Sequence, residues 1–131
     1  MNKVKLGKQV AFDAAVQQIE CNPNDRAHLG AVLTRGKQVV WGTNIMGKTH
    51  PDSQVWKDGV QIVKGVHAEQ MTLIKGRKFT DGGILYVARV TKAKNLALAS
   101  PCSVCRYLIK ESNIKRVHYS VGPNEWGEWN V

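Results

Sequence analysis

Residues 100–106 read Ser-Pro-Cys-Ser-Val-Cys-Arg, which places Cys102 and Cys105 three positions apart behind a proline. Upstream, residues 66–70 read Val-His-Ala-Glu-Gln, so His67 and Glu69 stand two positions apart. A cysteine pair at this spacing fits a disulfide, a redox pair, a metal site or plain packing. The chain holds three cysteines, an odd count and a poor basis for a disulfide framework. The opening stretch MNKVKLGKQVAF is basic but lacks the apolar core and small-residue cleavage site of a secretory signal. A cytoplasmic location with reduced thiols is therefore expected, and Cys102 and Cys105 read as thiolates.

Each cluster follows a loop-like stretch and opens a helical pattern. Backbone N–H groups and the positive ends of two helix dipoles are then expected to point at one place. Thiolates are stabilised there. One imidazole and two thiolates supply three ligands for tetrahedral zinc and leave a fourth position for water, as in a catalytic site. Zinc lowers the pKa of such a water toward ~7, and a carboxylate beside it can carry the proton away. Glu69, two positions from His67, is the candidate for that work. Cys21 ends the first helical pattern and has no partner motif.

Several elements must position these residues. Residues 8–20 place Phe12, Val16 and Ile19 at i, i+4 and i+7, with Ala15 alongside, which predicts an amphipathic helix facing a core. Asn22-Pro23-Asn24-Asp25 stops it. HLGAVLT and QVVWGTN read as strands joined by Arg35-Gly36-Lys37, where Gly36 supplies the positive φ of a tight hairpin. Residues 45–65 read as a long loop, a kind that is usually functional. A helix fits HAEQMTLIK and ends at Gly76 as a C-cap. Residues 83–91 form the most continuous apolar run and predict a central strand covered on both faces. A third helix over SVCRYLIKES ends near Asn113, KRVHYSV is a further strand, and Gly122-Pro123-Asn124 turns into EWGEWNV. No repeat or linker divides the 131 residues, so one α/β domain over 1–131 is expected.

Composition sets the outer bounds. Hydrophobic residues make up 43% and charged residues 22%, an ordinary globular balance. No window approaches the ~20 apolar residues of a membrane helix, so no membrane partner is expected. Nineteen Lys and Arg against ten Asp and Glu give a formal net charge of +9. An anionic partner follows, either a nucleotide phosphate or a nucleic-acid backbone. The lysines are scattered, so charge alone does not choose between them.

His67-Ala68-Glu69 and Pro101-Cys102-Ser103-Val104-Cys105 together match the H-x-E and P-C-x-x-C signature by which zinc nucleobase deaminases are recognised. Over most of its length the chain resembles the cytidine deaminase superfamily. Histidine in the first motif is similar to the deoxycytidylate and tRNA-adenosine branches, and Thr49-His50-Pro51 resembles short deoxycytidylate-deaminase-like proteins of phages. The long zinc-binding insert and extra C-terminal helices of larger members are absent. The resemblance implies a three-layer α/β/α fold with a mixed sheet of about five strands. It implies zinc held by His67, Cys102 and Cys105, with Glu69 as proton shuttle for water activated at the metal.

For the substrate, the resemblance implies that Asn44 holds the sugar hydroxyl. The Ala68 N–H would bind the base carbonyl, and a backbone carbonyl near Ser100 would accept from the amino group. His50 is a candidate contact to base or phosphate. The implied reaction is hydrolytic deamination of cytosine in a free nucleoside or nucleoside monophosphate. A nucleic-acid deaminase and a non-catalytic zinc module are the alternatives, and Glu69 has no purpose in the second. A homo-oligomer is expected. Trp126 and Trp129 read as packing residues, Trp41 as core or rim, and His28 and His118 as structural or exposed. Arg106 and Lys48 read as phosphate contacts or solvated charges.

Overall fold

Continuous apolar sequence at 83–91 demands cover on two sides, and the chain supplies it with helices before and after. The computed structural model describes residues 3–21, 28–43, 56–57, 60–61, 68–99, 101 and 103–131. In chain order the elements are α1 (Lys3–Cys21), β1 (His28–Arg35), β2 (Gln38–Thr43), β3 (Trp56–Lys57), β4 (Val60–Gln61), α2 (Ala68–Lys75), β5 (Ile84–Val90), β6 (Leu96–Ala97), α3 (Ser103–Glu111), β7 (Arg116–Gly122) and β8 (Glu125–Asn130). Strands pair in the order β2-β1-β5-β7-β8, and β6 adds to β5 as a sixth. The sheet is mixed, because β5 and β7 are parallel while β1, β2, β6 and β8 pair antiparallel with their neighbours. Within the stretch read as a loop, β3 and β4 form a separate antiparallel pair. The remainder of 45–65 lies outside the described residues.

Alternation along β5 divides the core into two layers. Tyr86, Ala88 and Val90 meet Ala11 and Ala15 of α1 together with Val32 of β1. Leu85 and Val87 point the other way, into a cluster with Ala68 and Leu73 of α2, Ile109 of α3 and Val117 of β7. Helices thus cover both faces, giving the three layers expected.

The α1 contact differs from the periodic reading. Phe12, Val16 and Ile19 are only partly buried, while Gly7, Ala11, Ala14, Ala15 and Gln18 face the sheet. The reason is the distance of approach. A Cβ added at Gly30 would sit 2.5 Å from the Ala11 carbonyl oxygen and the Ala15 nitrogen. Only small residues fit between helix and strand at that spacing, so the large ones move to the flanks. Gly76 is a second correction. Among described glycines only Gly36 (φ 59) and Gly82 (φ 75) take positive φ. At Gly76 a Cβ would lie 2.7 Å from Leu33 Cδ2, so close packing rather than a left-handed cap requires glycine there. The left-handed cap occurs on α3 instead. Asn113 takes φ 58, its N–H donates to Lys110 and the Ile114 N–H donates to the Ile109 carbonyl. That pair of bonds is a Schellman ending, and Ile114 packs in the same cluster as Ile109.

His118 stacks on Tyr86 with ring centroids 5.0 Å apart and 10° between planes. It is 5% exposed, and its Nε2 has no hydrogen-bond partner among the described residues. Burial holds His118 below the ordinary imidazole range; Glu128 pulls the other way, while Lys8 and Arg116 add to the lowering. The unfolded chain therefore takes up a proton near pH ~6.5 that the folded chain refuses, and stability is lost as pH falls below that point. Urea midpoints should decline between about pH 7 and about pH 5, and His118→Phe should flatten the decline. An unchanged slope in that variant would assign the effect to another group.

Candidate active site

The position of α2 follows from three contacts with the sheet. Gly76 lies against Leu33, while Thr72 lies against Gly42 and reaches the Ala31 carbonyl oxygen at 3.4 Å. The same hydroxyl donates to the Ala68 carbonyl at 2.8 Å, within the helix. Four helical residues rise about 6 Å and two strand residues advance about 6.6 Å, so α2 keeps step with β1 and β2. One more step brings the first turn of α2 to the Thr43 end of β2. That turn holds Ala68, Glu69 and Gln70, which are 0%, 4% and 1% exposed. The carboxylate sits at the positive end of the helix, where negative charge is favoured.

The approach to α3 is held from three sides. β6 folds back onto Arg89 and Val90 at the carboxyl end of β5. The Ser120 hydroxyl donates to the Ala97 carbonyl at 2.6 Å and accepts from the Arg89 N–H at 3.1 Å. Ala99 donates its N–H to the Ser120 carbonyl at 2.9 Å. Buried Pro101 accepts from Arg106 Nε at 3.2 Å, and the Arg106 guanidinium lies 5.3 Å from the centre of the Trp129 ring. Cys105 follows in the first turns of α3, fully buried, as a thiol and not a half-cystine. At its far end α3 returns the chain to the start of β5, where Lys115 donates its N–H to Gly83. Helices α2 and α3 touch each other. Both begin at the carboxyl edge of the parallel β5–β7 pair, the edge where open α/β sheets bind ligands.

Of the residues singled out from sequence, the structure brings Ala68, Glu69 and Cys105 to this edge. His67, Cys102, Asn44, His50 and Ser100 lie outside the described residues, as does Lys48. Among the described residues no group of three His, Cys, Asp or Glu side chains could hold a metal. Cys105 nevertheless fits zinc by its chemistry, since zinc takes cysteine sulfur as a ligand and the opening turns of a helix favour negative charge. Three positioning residues carry no periodic signal. Ser120 clamps the strand before the cysteine motif, Thr72 anchors α2, and Gly42 admits that helix to β2. Trp126 and Trp129 pack as expected, with Lys8 lying 5.5 Å from the Trp126 ring centre. Trp41 is exposed beneath Lys75. His28 and His118 are buried. Two cavities, of about 520 and 490 Å³, lie on the α1 side of the sheet, and no described residue of α2 or α3 lines either.

Residues 5–121 match the family model described as the cytidine and deoxycytidylate deaminase zinc-binding region. Similar solved structures include the dCMP deaminase of cyanophage S-TIM5 in complex with dCMP and dUMP. It aligns with TM-score 0.57 and 22% identity over 91% of this chain and 82% of that one. The apo form of that enzyme aligns with TM-score 0.55 and 21% identity over 91% and 84%. Cytidine deaminase from Mycobacterium tuberculosis aligns with TM-score 0.52 and 21% identity over 91% and 85%. Identities of this order carry the fold. No curated protein sequence matches the chain. No helix among the described residues is long and apolar enough to cross a membrane.

The fit of α2 against β2 can be tested directly. A Cβ at Gly42 would lie 2.8 Å from Thr72 Oγ1 and 3.0 Å from Met71 Cγ, whereas one at Gly122 meets nothing within 4 Å. Gly42→Val should lose about 1–3 kcal/mol in urea denaturation, and Gly122→Ala should change little. Equal effects would show that α2 does not approach β2 this closely.

Proposed function

The chain belongs to the cytidine and deoxycytidylate deaminase zinc-binding family, and on that premise we propose that it deaminates cytosine in a free nucleoside or nucleoside monophosphate. The observation that carries the reading is Glu69, an acid buried in the first turn of α2 at the same sheet edge as Cys105. A carboxylate held in the first turn of a helix at the sheet edge is placed for proton transfer. His67, Cys102 and Cys105 are the residues that would hold zinc. Zinc, when bound, supplies the Lewis acidity that makes water a nucleophile near neutral pH.

The remaining steps belong to the chain. Glu69 takes a proton from the attacking water and delivers it to ring N3 as oxygen bonds to C4. It then passes the second proton to the departing amine, the C4–N bond breaks and ammonia leaves a uracil ring. The Ala68 N–H orients the base carbonyl, a carbonyl near Ser100 receives the amino group, and Asn44 holds the sugar. His50 contacts the base or phosphate. Binding of dCMP and dUMP by the cyanophage relative supports a nucleotide of this size. We include in this reading a single zinc-dependent domain over residues 1–131.

The net charge of +9 favours a second reading, deamination of cytosine or adenine within a nucleic acid. Ammonia release separates the two. Free cytidine, deoxycytidine or deoxycytidylate should turn over faster than any single-stranded oligonucleotide or tRNA, with modest dependence on salt. The reverse ranking, with steep salt dependence, would favour the nucleic-acid reading. Glu69→Gln should retain zinc and fold but lose turnover by roughly 10²-fold or more. Activity within about tenfold of the parent would assign proton transfer to another group.

A further inference from the structure

Between the N-terminal half of α1 and the end of the β1–β2 hairpin lies the cavity of about 490 Å³. Strand register builds its floor. Val39, Thr34 and Ile84 stand in one row across β2, β1 and β5, and Val32 stands beside Tyr86 in the next. Val4 and Val10 of α1 close it from above. The polar atoms of the floor are already engaged, since the Thr34 hydroxyl donates to the Ile84 carbonyl at 3.5 Å and also bonds the Tyr86 hydroxyl. A ligand in contact with this floor therefore meets aliphatic and aromatic surface, and a polar body there would lose its water without replacement.

The mouth has a different chemistry. Lys3, Arg35 and Lys37 line the same cavity, the last two flanking Gly36 at the hairpin tip, and no acidic residue lines it among the described residues. None of the three pairs with an acid among the described residues. The path of α1 gathers them at one end. The helix meets Gly30 at Ala11 and Ala15, and it meets Tyr86, opposite Val32, at Gly7. Four residues further back it has moved about 6 Å, which brings Lys3 level with Thr34, beside the tip. Leu6 and Val39, 50% and 55% exposed, complete the lip and leave apolar surface in water where it continues the cavity wall.

An apolar interior behind a cationic mouth matches a molecule of the opposite layout, an aliphatic body with one anionic head. We propose that this cavity binds a medium-chain aliphatic carboxylate, its chain along Val10, Val32 and Ile84 and its head on Lys3, Arg35 and Lys37. The volume is that of a small-molecule site. A polyanion would satisfy the mouth and leave the interior unfilled, and a plain hydrocarbon would leave three cations unpaired. The site does not depend on the deaminase reading.

Decanoate is the probe of choice, titrated calorimetrically below its micellar range into the zinc-loaded full chain. One molecule should bind per chain. Affinity should rise about fourfold for each methylene from hexanoate to decanoate, the ratio given by about 0.8 kcal/mol per buried methylene. The double variant Lys3→Glu/Lys37→Glu should weaken decanoate roughly tenfold or more and leave decanol unchanged, which separates loss of the head contact from loss of fold. In methyl NMR spectra of the parent, decanoate should shift Val4, Val10, Val32 and Val39 and leave Val117, on the other face of the sheet, in place. The length series and the spectra use the parent protein, so the proposal stays falsifiable if the variant folds poorly. Absence of saturable binding, affinity independent of chain length, or equal decanoate affinity in the double variant would overturn it. Decanol binding as tightly as decanoate would overturn the carboxylate assignment. Shifts confined to other methyls would place the ligand outside this cavity and likewise overturn the proposal.

Discussion

Parallel pairing of β5 with β7, Leu85 against Val117 and Val87 against Tyr119, obliges the chain between them to leave the sheet and return. Helix α3 is that return, and its direction is then no longer a choice. It must begin at the carboxyl edge of β5 and end near the start of β7. Helix α2 precedes β5 and runs the same way, held by Gly76 at Leu33 and by Thr72 at Gly42 and Ala31. Two positive helix ends therefore meet at one edge. Glu69 and Cys105 are the described side chains delivered there, an acid and a thiol that both gain from that potential.

The two faces of the sheet solve different packing problems. On the α1 face small residues and Gly30 allow a close approach, so the layer is thin and its large side chains lie at the margins. Tyr86 and His118 fill the space beyond, stacked and largely dry. On the other face Leu33, Leu85, Leu73, Ile109 and Ile114 fill a thicker core under α2 and α3. Replacing Ile109 by alanine would leave a cavity under the cysteine motif, a loss of about 2–5 kcal/mol for side chains of this kind. Stability of that core and placement of Cys105 are thus one problem.

Much of this was legible from residue pattern. Leu85–Ala88 is buried on both sides and so reads as a continuous apolar run that only exposed Arg89 interrupts before Val90, and Arg35-Gly36-Lys37 names its hairpin through a glycine with φ 59. The motifs also announce their helices, since Glu69 and Cys105 fall in the opening turns of α2 and α3. What escaped has a physical cause in each case. Two-residue β6 has no period to detect, and its place depends on Ser120, distant in sequence. The buried stripe of α1 is written in alanine and glycine, which hydrophobicity ranks below Phe12 and Val16. Gly76 has the sequence position of a cap but serves the fit of α2 against Leu33 of β1. Distance of approach is a property of pairs of elements, and a single-sequence pattern carries little of it.

The central claim is that the first turns of α2 and α3 converge on one zinc, so its ligand set is the most direct measurement. X-ray absorption at the zinc edge of purified full-length protein should show two sulfur ligands with lighter donors completing the site, and Cys105→Ala should remove one sulfur or the metal itself. Cys21, exposed at the end of α1, should be replaceable without effect on the spectrum. A zinc environment containing only nitrogen and oxygen, or one unchanged by Cys105→Ala, would contradict the convergence of the two helices on a metal.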